Sequence, residues 1–64
     1  MCESDVYMVD ENGKEELVLK SVDKVIPSGN EVILESIFSE RKIIQAVIKE
    51  MALLEHKIIL KKVG

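Results

Sequence analysis

The chain reads as short apolar, strand-favouring runs separated by turn signals. Val6-Tyr7-Met8-Val9 and Leu17-Val18-Leu19 are rich in residues that fit a pleated, half-buried surface. Between them lies Asp10-Glu11-Asn12-Gly13-Lys14. Asn-Gly is the strongest short hairpin signal, because both central positions of a type I′ turn need φ > 0. A two-residue loop centred on Asn12-Gly13 pairs Met8 with Leu17, Tyr7 with Val18 and Val6 with Leu19. Pro27-Ser28-Gly29-Asn30 marks a second turn, with proline presetting φ and glycine supplying the left-handed position. It separates Val22–Ile26 from Val32–Phe38. In the latter run Val32, Leu34 and Phe38 are expected to face one way, with Ser36 between them. Ile33, Glu35 and Ile37 are expected to face the other way. His56–Val63 reads as a last strand, entered through a turn or bulge at Leu53-Leu54-Glu55-His56.

The stretch from Ser39 to His56 supports two readings. Ile44, Val47, Ile48, Met51 and Leu54 fall at helical spacing, and Ser39 is a suitable N-cap. Lys42, however, stands where a capping box wants Glu or Gln. As a strand, the same stretch puts Ile44, Ala46 and Ile48 on one face and Ile43, Val47 and Met51 on the other. The local pattern by itself slightly favours helix. Two fold classes follow for residues 1–64 as a single domain. One is an all-β, small, nearly closed barrel, since closure removes the edges a tiny sheet exposes. The other is α+β, with a helix near residues 40–54 on a small antiparallel sheet.

Composition narrows what such a domain can be. A 64-residue chain buries only about 60% of its unfolded surface and is marginal alone. Disulfides, metals or oligomerisation usually support domains of this size. The sequence holds one cysteine, so an intrachain disulfide is excluded. A metal, a partner subunit or both remain. The net charge of −3 argues against nucleic acid, because phosphate binders normally carry a basic surface. Lys57, Lys61 and Lys62 form the one basic cluster. The N-terminus is acidic and polar, unlike a secretory signal, and the longest apolar run, Met51–Leu54, is far short of a membrane span. A cytoplasmic location is therefore expected, where a free thiol stays reduced.

Candidate chemistry concentrates at Cys2. If Met1 is removed, the Cys2 α-amine and thiolate form a five-membered chelate around one metal ion. Metal must then displace protons from both groups. If Met1 stays, thiolates combine with backbone or solvent donors. A symmetric dimer with both N-termini at its two-fold axis supplies the same pair twice. Square-planar nitrogen and sulfur donors suit Ni(II) or Cu(II) better than Zn(II). The opposing reading is an inert, terminal cysteine. His56, the sole imidazole, is a candidate ligand or a surface residue. Glu3 and Asp5 lie close enough in sequence to tune charge at Cys2, or form a solvated acidic start. No Ser–His–Asp set is present, Cys2 and His56 have no orienting third partner, and the three glycines are isolated. Enzymatic activity is not expected.

Taken together, these residues resemble the CooT-like small nickel-binding proteins, a family whose older label is RNA-binding. The resemblance rests on Met1-Cys2-Glu3-Ser4 followed by Val6-Tyr7, and on Glu15-Glu16-Leu17-Val18, Ser21-Val22-Asp23 and Val25-Ile26-Pro27-Ser28-Gly29. Val32, Leu34, Ile37-Phe38 and Leu54-Glu55-His56-Lys57-Ile58-Ile59-Leu60 complete it. It implies an all-β, SH3-like antiparallel barrel of about five to seven short strands, with strand rather than helix over Ile43–Leu54. It further implies a homodimer holding one Ni(II) through Cys2 of both subunits, with His56 at a recurring position. The implied partner is a metalloenzyme recipient, carbon monoxide dehydrogenase or its maturation proteins. The alternative is a metal-free β-barrel that binds RNA or another protein.

Overall fold

A computed structural model describes residues 3–63. Six strands form one mixed sheet: β1 (Ser4–Val9), β2 (Glu15–Ser28), β3 (Glu31–Ser36), β4 (Arg41–Ile44), β5 (Ala46–Ala52) and β6 (Lys57–Lys62). Their spatial order is β4-β3-β2-β1-β6-β5. The all-β expectation holds. Four of the five pairings are antiparallel, and β1 with β6 is parallel. No helix among the described residues is long and apolar enough to cross a membrane.

The first hairpin sits where Asn-Gly predicts it, but its loop differs. Asp10 and Lys14 close the loop, with the Asp10 N–H donating to the Lys14 carbonyl at 3.0 Å. The Gly13 N–H donates to the Asp10 carbonyl at 3.0 Å, and positive φ falls on Gly13 (+82°) and not on Asn12. This is a three-residue loop of a type I turn followed by a left-handed glycine. The Asp10 side chain fixes it: Oδ1 accepts the N–H groups of Asn12 (2.8 Å) and Lys14 (2.9 Å). The extra loop residue moves the register by one, so Tyr7 opposes Leu17 and Met8 opposes Glu16. An irregularity between Val6 and Tyr7 absorbs the slip, and Val6 opposes Leu19 as expected. The second turn, Gly29-Asn30, joins Ser28 to Glu31 with Gly29 at φ +60°.

β2 holds the sheet together because it pairs twice. Its first half pairs with β1 and its second half with β3. Ser21 marks the change, with φ +56°, a conformation that L-residues adopt at a cost. Its N–H donates to Asp5 Oδ1 at 3.1 Å, and its carbonyl accepts the Ile37 N–H at 2.9 Å. The sheet curls here, and β3 and β5 approach within 8 Å between Cα atoms. Lys42 Nζ reaches across to the Val18 carbonyl at 2.9 Å. The concave side is the core, centred on Val6, Val32, Leu34 and Leu60, all nearly inaccessible to solvent.

Two expectations need correction. The helix near residues 40–54 is absent: β4, β5 and a single 3-10 turn at Leu53–Glu55 occupy the stretch. The helical spacing has a strand origin. Gln45 separates β4 from β5, and the β5–β6 register shifts between Ile48 and Glu50. The inward side chains keep a period of two across Gln45 (Ile44, Ala46, Ile48) and resume at Ala52 beyond the shift, while Val47, Met51 and Leu54 are exposed, so the helical spacing joins residues from both faces of the strands. Phe38 does not face inward with Leu34; it is 77% exposed beyond the end of β3.

Ser36 ends β3. Its buried hydroxyl accepts the N–H groups of Phe38 and Glu40, both at 3.1 Å. Ser36→Ala leaves both donors without that acceptor. The expected cost is about 1–3 kcal/mol, read as a lowered midpoint in a thermal melt followed by circular dichroism.

Candidate metal centre

Cys2 lies outside the described residues, but the end of the molecule that it joins is defined. Glu3, Asp5, Glu55 and His56 line an open pocket of about 450 Å³ at the start of β1. The parallel β1–β6 pairing creates this juxtaposition by setting Asp5 opposite Lys57. The Asp5 N–H donates to the His56 carbonyl at 2.9 Å. Cys2 is three residues before Asp5, within about 11 Å of it for an extended chain. His56, a candidate ligand, thus stands at the end of the sheet where β1 begins. No local sequence signal reveals this, because the pairing joins the first strand to the last.

The pocket residues have structural duties as well. Asp5 spends Oδ1 on the Ser21 N–H and so holds the bend of β2. His56 closes the 3-10 turn in the left-handed conformation (φ 53°, ψ 45°), with its N–H on the Leu53 carbonyl at 3.2 Å. Lys57, next in sequence, is engaged elsewhere: Nζ lies 2.8 Å from Glu15 Oε1 and 5.0 Å from the Tyr7 ring centroid. The Glu15 hydrogen bond raises the Lys57 pKa, and the nearby Tyr7 and Glu55 charges add to the rise. A raised lysine pKa favours the folded state at neutral pH, and that contribution is lost as pH climbs through the lysine range. Among the described residues, no three His, Cys, Asp or Glu side chains converge to hold a metal ion.

The backbone of His56 gives a way to separate its two roles. Glycine adopts the left-handed conformation without the penalty an L-residue carries. His56→Gly is therefore expected to keep the fold, with stability within about 1 kcal/mol of the parent because added unfolded-state freedom offsets the relief. A circular dichroism melt checks this. A loss of midpoint corresponding to more than about 2 kcal/mol would show that the imidazole itself supports the structure.

Comparison with known proteins supplies the family. The model of the CO dehydrogenase accessory protein CooT matches residues 1–61. A crystal structure assigned to CooT from Carboxydothermus hydrogenoformans superposes with a TM-score of 0.89 at 43% identity, covering 98% of this chain and 100% of that one. No curated protein matches by sequence. The match extends through the Cys2 segment, both hairpins and the closing β6 strand, and on it the chain belongs to the CooT family of CO dehydrogenase accessory proteins.

Proposed function

We propose that this chain is a homodimeric nickel-binding protein that stores or delivers Ni(II) for CO dehydrogenase maturation. One Ni(II) is held per two chains, with Cys2 of each subunit as the principal ligand. The observation that carries the reading is the match to a CO dehydrogenase accessory family over residues 1–61, a span that includes Cys2; the pocket of Glu3, Asp5, Glu55 and His56 where β1 begins supports it. Thiolate and amine donors suit nickel, and the surrounding carboxylates lower the cost of bringing a divalent cation to this end. His56 is the nearest imidazole and serves as a secondary donor. The protein acts by carrying metal in the cytoplasm and not by catalysis. An RNA-binding reading gains no support from Tyr7, since Lys57 sits across its ring.

Native mass spectrometry of the purified chain, with and without Ni(II), tests this directly. The expected species is a dimer carrying one nickel, and the intact mass reports whether Met1 is present. A monomer that binds nickel by itself, or a dimer that takes none, overturns the proposal.

A further inference from the structure

A second concave site lies at the other end of β1 and β6. It is an open cleft of about 700 Å³ between the first hairpin loop and the β5–β6 pair. Lys49, Lys61 and Lys62 line it, together with Asp10 and Glu11. One third of the nine basic residues of an acidic chain therefore meet in one cleft. Among the described residues the ion pairs within 4.0 Å are Lys24–Glu35 and Lys57–Glu15, and none joins the three lysines to Asp10 or Glu11. Asp10 turns Oδ1 inward on the loop, where it accepts the Asn12 and Lys14 N–H groups.

The chemistry of the lining selects the occupant. Phosphate sites of fixed geometry are typically built from free backbone N–H groups or arginine forks, with lysine adding a point charge. Here the N–H groups of Asn12, Gly13 and Lys14 are already donated to Asp10, and the one arginine, Arg41, stands on β4. No aromatic side chain lines the cleft, so bases have nothing to stack on. What remains is three ammonium groups on flexible stems, point charges that attract anions without demanding a fixed geometry, which suits a flexible acidic chain.

We propose that this cleft docks an acidic segment of a partner protein, held by Lys49, Lys61 and Lys62. Its distance from the Cys2 end is the length of β1, six residues, or about 17 Å at the usual rise per residue. An occupant of the cleft therefore leaves the Cys2 end open, and both ends can be engaged at once. Attraction of this kind speeds encounter and weakens with salt.

The test uses the full chain with hexaglutamate as the probe and inorganic tripolyphosphate as the comparison, followed by amide chemical shifts. Hexaglutamate is expected to shift residues 9–13, Lys49, Lys61 and Lys62, with affinity falling at least about tenfold between roughly 20 and 200 mM salt. The triple variant Lys49→Gln/Lys61→Gln/Lys62→Gln should lose at least about tenfold in affinity. Removing equal charge elsewhere, as Lys20→Gln/Lys24→Gln/Arg41→Gln, should cost less than about twofold. Equal losses in both triples, shifts located away from the cleft, or tripolyphosphate binding there without hexaglutamate would each overturn the proposal. The shift map and salt dependence of the unsubstituted chain decide the matter even if a triple variant folds poorly.

Discussion

Cys2→Ser is expected to abolish nickel binding while leaving the far-ultraviolet circular dichroism and thermal midpoint unchanged. The two halves of this result follow from different facts. A serine hydroxyl does not ionise near neutral pH and is a hard, weak donor, whereas a thiolate is the soft ligand nickel prefers. No cluster of three donors elsewhere among the described residues can take over. Position 2 precedes the first residue of β1, so the exchange leaves the sequence of every strand unchanged. A calorimetric titration reads the effect, and a loss of at least about a hundredfold, corresponding to roughly 3 kcal/mol, is expected. An unchanged isotherm in the serine variant would remove Cys2 from the site. Pairing it with His56→Gly separates thiolate from imidazole, because each variant leaves the other donor in place.

Leu34→Ala should be the most damaging single change to the fold. Leu34 is fully buried at the centre of β3, paired with Val25 on one side and Lys42 on the other. Truncating such a leucine typically costs about 2–5 kcal/mol through lost transfer energy and the cavity left behind. A domain of this size has a total stability of roughly 3–10 kcal/mol. The expected outcome is a thermal midpoint lower by about 10 °C or more, or a chain that is unfolded at 37 °C. A drop of only a few degrees would mean that the core collapses onto the gap, or that packing between subunits supplies most of the stability. Leu34→Met, close in volume, should cost less than about 1.5 kcal/mol and serves as the control.

The turns were legible because their residues have local reasons. Gly29 takes positive φ at its turn, and Gly13 does so in the first loop. The type of the first loop was not legible, because Asp10 decides it by accepting two N–H groups from within the loop. Phe38 was misplaced for a similar reason: Ser36 diverts its N–H and stops the strand. The stretch from Ser39 to His56 misleads at the level of periodicity, and the family resemblance corrects it where propensity does not. At the candidate site, Cys2 stands out by its position in the chain. The meeting of Asp5 with His56 does not, since it depends on a parallel pairing between the chain's two ends. The lysine cleft was visible only in part: Lys61 and Lys62 cluster in sequence, and Lys49 joins them through the β5–β6 ladder.

That end-to-end pairing also governs how the molecule assembles. β1 gains its second flank, and β5 its ladder partner, only when β6 docks. Contacts of such long sequence separation carry a large loop-closure cost before they return any stability, and they slow folding toward the millisecond-to-second range. The order of events follows: the β1–β2 and β2–β3 hairpins are local and form early, and β6 inserts beside β1 late. The Asp5–His56 hydrogen bond belongs to that late step. A nascent chain therefore brings Glu3 and Asp5 to Glu55 and His56 only once its last strand is in place, so that on the proposed function metal loading waits for the fold to finish.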